Sequence, residues 1–346
     1  WLWAGSIDVP VGQEGLARFT ASLLTRGTAH RTFADIGEQV ESVGATLSIG
    51  SSGHTTRFTV KCLVEDLPLL MDILTDCLYH PTFPDEYVEK RRGEILTVLE
   101  QRRQNTQTMA RLRFSEMMYP DHPYGRSQLG YRDTVASLTR ADVDRFYRER
   151  YGAAGMTVTL VGAMPPERGL DLLEKAFGSW QGAEYRQAPL PPVSPIGKKC
   201  TQHTPIPGKT QSDLVLGWTG VKRLDDDFAP AYLANCILGQ FGMMGRVRQH
   251  VRAELGLASY VYTNLEAGIG VSPWSAMAGV APGNVDRTVE AILTEIRQLR
   301  EQPVGQQELD DNKAFIVDSL PLRLEGNEGI AAQIAESLGR PVEGVT

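Results

Sequence analysis

The sequence is poor in the features that announce chemistry. It has no apolar run near the roughly 18 residues a membrane span needs. Its four cysteines, Cys62, Cys77, Cys200 and Cys236, show no C-x-x-C spacing, so neither a zinc knuckle nor a dense disulfide framework is expected. Its six histidines, His30, His54, His80, His122, His203 and His250, contain no i, i+4 pair that could seat a metal on one helix face. Gly-x-Ser-x-Gly is absent, and Gly239-Gln-Phe-Gly242 and Gly268-Ile-Gly270 lack the strand-loop-helix context of a phosphate loop and are expected to be turns. A net charge of −7 over 346 residues gives no global field for nucleic acid.

What remains is an ordinary globular composition, 42% hydrophobic and 22% charged, at a length that suggests two domains. Three- and four-residue apolar spacing predicts helices over 15–24, 32–43, 67–79, 85–102, 140–151 and 167–180. Strands are expected over 45–49, 55–62 and 156–161, and the opening Trp1 to Ser6 reads as a strand already under way. Pro189, Pro191, Pro192 and Pro195 mark an extended linker, placing domains at 1–182 and 208–346 around a linker at 183–207.

The second half replays the first. An offset of 221 sets Glu89 on Asp310, Ile95 on Ile316, Leu96 on Val317 and Leu99 on Leu320, and the helix from Val64 to Leu78 corresponds to that from Val285 to Leu299. At this offset Thr346 falls on Gly125, and the tail from Gly339 to Thr346 carries no cap, so the second copy is expected to be incomplete.

Trp3-Ala-Gly-Ser-Ile-Asp-Val-Pro-Val-Gly-Gln-Glu-Gly-Leu-Ala17, Arg26-Gly-Thr28, Ile36 to Leu47, Glu65 to Pro68, Pro81 to Glu100 and His122-Pro-Tyr-Gly125 follow one another in an order that resembles the pitrilysin and insulinase family of zinc metallopeptidases, the inverzincins. The resemblance covers nearly the whole chain. It implies an α+β fold of two duplicated domains of like topology, each a mainly antiparallel sheet with helices on one face, arranged as a clam shell. The family's H-x-x-E-H motif puts two imidazoles and a general base on one helical face. Here the matching positions are Arg18, Ala21 and Ser22, and the later carboxylate ligand falls on Val98. Arg18 substitutes a permanent cation for a ligand, Ala21 has no proton acceptor, and Val98 has no donor atom. Glu94, one turn before Val98, and Glu100, rotated by roughly 200°, are read as solvated helix charges, as are Lys90-Arg91-Arg92.

In the second half Arg252 matches the family's substrate-contacting Arg, whereas the matching Tyr falls on Ser259 with Tyr260 one residue late. A one-residue slip on a strand reverses the side chain, so Tyr260 can serve only if a bulge restores its aim. The family's peptide-binding edge corresponds to Leu47, Ser48, Ile49, Gly50 and Ser51. The resemblance therefore implies no resident cofactor and a subunit inactive alone. It would bind peptide beside a homologous partner that carries the zinc and the intact H-x-x-E-H. A purely structural member of the same family is the alternative, and a peptidase working through another site is the third reading. No membrane span and no nucleic acid partner are expected, with cytoplasm favoured slightly over periplasm.

Overall fold

The computed structural model describes residues 1–184, 189–194, 196–240 and 245–338. Parts of the expected linker (185–188 and Pro195), the segment Phe241 to Met244 and the tail from Gly339 lie outside the described residues. In chain order the elements are α1 (Leu16–Leu23), α2 (Phe33–Ser42), β1 (Thr46–Ser51), β2 (Thr56–Lys61), α3 (Leu67–Tyr79), α4 (Asp85–Arg103), α5 (Thr106–Met118), α6 (Arg132–Ser137), α7 (Arg140–Arg150) and α8 (Pro166–Phe177). There follow β3 (Ser212–Thr219), α9 (Phe228–Asn235), β4 (Ala258–Leu265), β5 (Pro273–Val280), α10 (Val285–Glu301), α11 (Gln306–Arg323) and α12 (Asn327–Leu338). Two π-helical turns, Cys236–Gln240 and Arg248–Glu254, lie between α9 and β4. The protein is thus α+β with small antiparallel sheets, and the 221-residue offset carries Asp85 at the start of α4 onto Gln306 at the start of α11.

The chain forms two compact units. The first holds residues 1–100, the described part of 126–189, and 323–338; the second holds 101–125 and the described part of 190–322. In the first unit β1 and β2 pair antiparallel from Thr46↔Lys61 to Ser51↔Thr56. Alternation turns Leu47, Ile49, Phe58 and Val60 toward the core of α1, α3 and α4, where Phe19, Leu23, Leu74, Leu78, Ile95 and Leu99 are buried. Ile36 and Val40 of α2 pack with Leu70, Ile73 and Cys77 of α3 in a second cluster. Helix starts follow side-chain chemistry: Thr32 accepts from the Asp35 amide and Thr139 from the Asp142 amide, each forming a capping box.

In the second unit the sheet order is β3-β5-β4, all antiparallel. One face, with Leu216, Val261, Ala276, Ala278 and Val280, packs on Ile292 of α10 and on Leu238 and Val251 of the π-helical turns. The opposite face receives α5.

Two expected strands are absent. Residues 156–161 form no ladder among the described residues; the recorded backbone pairing there is Trp1 N to Thr157 O, 2.8 Å, and Thr157 N to Trp1 O, 2.9 Å. Trp1 to Ser6 likewise contributes one bridge, Leu2 to Thr56, before a short 3₁₀ turn at Ser6–Asp8. β-Branched composition favours a strand only where a neighbour supplies a ladder, and here one residue does.

Candidate functional site

The start of α1 is held by backbone contact. Gly15, at φ +102°, caps the helix, and a Cβ there would stand 2.8 Å from the Leu129 carbonyl oxygen. Only glycine meets both the left-handed backbone and the close approach. From that fixed start the helix buries Leu16, Phe19, Thr20 and Leu23 and leaves Arg18 exposed. Among the described residues Arg18 has no ion-pair partner. Ala21 is buried, and Val98 on α4 is 47% exposed.

Ser22 is half-buried and hydrogen-bonded on both sides. Its hydroxyl donates to the Phe19 carbonyl at 2.7 Å and accepts from Arg91 Nε at 2.9 Å. Arg91 Nη1 in turn donates to Glu94 Oε2 at 2.8 Å. The hydrogen bond from Arg91 holds the Glu94 carboxyl below its ordinary range. Zinc chemistry asks for three or four lone-pair donors aimed at one point. Of the four family positions only Ser22 has a lone pair, and it faces a guanidinium, so these residues do not fit the metal.

The expectation that Lys90-Arg91-Arg92 forms a solvated face fails for two of the three. Arg91 bridges to Ser22, while Arg92 binds Glu89 and reaches the Val135 and Ala136 carbonyls at 2.9 and 3.1 Å. Its cation thereby caps the C-terminal turn of α6, where orphan carbonyls collect. Sequence gives no sign of either contact, because Ser22 and Val135 lie far along the chain.

β1 is paired on one side only among the described residues. Leu47, Ile49 and Ser51 are half-buried and Thr46, Ser48 and Gly50 exposed. The exposed neighbours across the pair are Arg57, Thr59 and Lys61.

In the second unit β4 carries the bulge on which Tyr260 depends. Ala258 pairs with Val280 and Tyr260 with Gly279, leaving Ser259 as the extra residue. Tyr260 and Tyr262 are half-buried on one face and Val261, Thr263 and Leu265 buried on the other. The Tyr260 hydroxyl donates to Asp213, which also accepts from Thr106 at the start of α5 and, at 3.1 Å, from Gln211. Burial, then the hydrogen bond to Asp213, push the Tyr260 phenol above its ordinary value. Ser259 donates to Gln211 and to the Gly279 carbonyl. Arg252 is exposed in the last turn of the π-helical segment and has no hydrogen-bond or ion-pair partner among the described residues.

Sequence reasoning missed Arg111. It lies on α5, donates to the Tyr262 hydroxyl, and places Nε 3.2 Å from Met277 Sδ. Sequence reasoning placed no helix over α5; the signal that could have marked its start is Asn105, which accepts from the Thr108 amide as an N-cap. No group of three or more His, Cys, Asp or Glu among the described residues could hold a metal ion. No helix among them is long and apolar enough to cross a membrane.

Comparison with known proteins bears on the family and the fold. The model of the insulinase family (peptidase family M16) matches residues 1–131, and that of the peptidase M16 inactive domain matches residues 137–315. An uncharacterized zinc protease of Streptomyces coelicolor is 27% identical over 342 residues, covering 97% of this chain and 74% of the relative. The mitochondrial-processing peptidase subunit beta of Neurospora crassa is 23% identical, with 99% and 73% covered. Among solved structures, a peptidase M16 inactive domain from Pseudomonas fluorescens superposes with a TM-score of 0.88 at 23% identity, over 96% of this chain and 79% of that one. A protease from Helicobacter pylori gives 0.85 at 19%, over 97% and 82%.

Proposed function

The chain belongs to the insulinase family of M16 peptidases, and on that footing we propose that it is a non-catalytic, peptide-binding subunit of a two-chain zinc peptidase. The observation that carries the reading is the pairing of a disabled metal position with an open strand edge. Arg91 occupies a lone pair of Ser22 with a cationic donor, while Leu47 to Ser51 keep one side of β1 unpaired among the described residues.

In this reading the chain binds no zinc itself. The metal and the H-x-x-E-H helix belong to a homologous partner. An extended peptide adds to β1, so that main-chain hydrogen bonds supply affinity with little dependence on sequence. Arg252 is the stronger candidate for contact with the partner's site, because the Tyr260 hydroxyl is already committed to Asp213. Such a donor would stabilise the negative charge that develops as water attacks the peptide carbonyl, an effect worth about a hundredfold to a thousandfold in rate. The engagement of Tyr260 favours the second reading, a family member that serves only as scaffold.

The test is reconstitution with a homologue carrying H-x-x-E-H. Peptidase activity should require both chains, fall with Arg252→Ala, and coincide with amide protection over Leu47 to Ser52 when peptide is added. Equal activity of the zinc-bearing chain alone would overturn the subunit reading, and an Arg252→Ala pair as active as the original would favour the scaffold.

A further inference from the structure

One side chain joins the two helices that carry the degenerate ligand positions. Arg91, Glu94 and Val98 recur at three- and four-residue spacing and so form one stripe of α4. From that stripe Arg91 reaches α1 at Ser22 and is held on its other side by Glu94, with hydrogen bonds of 2.9 and 2.8 Å. We propose that Arg91 is a cationic lock: through Ser22 it cross-links α1 to α4 where a metal would otherwise do so, and its charge keeps the position closed to divalent ions even when ligands are supplied.

Three observations carry this. An arginine side chain carries a permanent charge. Its side chain is 26% exposed, so water screens it less than a charge on the open surface. The Ser22 hydroxyl has its proton on the Phe19 carbonyl and a lone pair on Arg91, leaving the α1 position bound into the lock. Arg26 and Lys90 add further positive charge around Glu94. This inference does not depend on a partner chain or on peptide binding.

The experiment grafts the family ligands onto the chain as Arg18→His, Ala21→Glu, Ser22→His and Val98→Glu, once with Arg91 kept and once with Arg91→Gln added. Zinc affinity is read by competition with a chromophoric chelator, and metal content after dialysis. The graft that keeps Arg91 should bind zinc roughly a hundredfold more weakly than the graft without it. Equal affinity overturns the proposal. So does a failure of both grafts to bind, since removing Arg91 would then not open the position. Should the grafts not fold, the native chain decides through Ser22→Ala, Arg91→Gln and the double variant. The double variant should lose less stability than the two single variants' losses added together, and additive losses would show that no cross-link exists.

Discussion

Tyr260 on β4 and Asp213 on β3 both stand opposite Gly279 of β5, and their hydrogen bond passes over it. A Cβ at Gly279 would collide with the Tyr260 ring and the Gln211 amide. The missing side chain is what lets a tyrosine on one outer strand reach a carboxylate on the other.

Gly279→Ala should therefore displace Tyr260 and destabilise the protein by about 1–3 kcal/mol, the usual range for overpacking. Tyr260→Phe should cost about 1 kcal/mol through the lost hydrogen bond. Asp213→Asn should bring the Tyr260 phenol down, though still above its ordinary value because burial persists. Urea melts and a difference titration against Tyr260→Phe read these effects. An alanine at 279 with unchanged stability and titration would refute the crossing.

Arg246 binds both carboxylate oxygens of Glu308, at 2.7 and 2.5 Å, and these hydrogen bonds hold the carboxyl below its ordinary range. A depressed carboxyl contributes stability above its unfolded value of about 4.3 and loses it as pH falls through the folded one. Because Glu308 is 34% exposed, solvent screening limits the contribution to about 1 kcal/mol. Arg246→Met should thus be less stable than the native chain at about pH 7, and the gap should close near about pH 2. A gap independent of pH would point to lost packing instead.

The cysteines differ in reactivity through burial. Cys77 on α3 is buried, and desolvation, with the neighbouring Asp76 charge, pushes its thiol up to about 12. Burial also raises Cys236 and Cys62, whereas Cys200 is exposed. Iodoacetamide at about pH 8 should label Cys200 first and Cys77 only in urea, because the thiolate is the reacting species. Mass spectrometry of timed samples reads the order. Native labelling of Cys77 at the rate of Cys200 would contradict the packing of α3.

Elements with strong local signals were legible in the sequence. α3 spans the expected residues and α4 extends the expected helix by one, since apolar spacing and buried Leu70, Leu74 and Leu78 act within the element itself. The expected start of α1 was likewise close, since Gly15 caps the helix that begins at Leu16. What sequence left hidden depends on residues brought together from afar. Arg91 looks like one cation in a run until Ser22, on another helix, is placed beside it. The bulge at Ser259 and the Asp213 partner of Tyr260 both come from strands that pairing brings alongside, so neither could be read from β4 itself. Residues 156–161 have strand composition, but strand formation belongs to a pair and not to a segment.

The route of the chain between its two units has a consequence for cutting it. A break after Pro189 yields one fragment that retains residues 101–125, including α5 of the second unit, and another that retains 323–338 of the first. Within the second unit, α5 from one fragment is bonded to β3 from the other, through Thr106 and Asp213. Each fragment thus completes a fold that the other begins. A protease nick at this point should give two bands on a denaturing gel and one particle on a sizing column, and the severed halves, mixed after separate unfolding, should recover the fold only together.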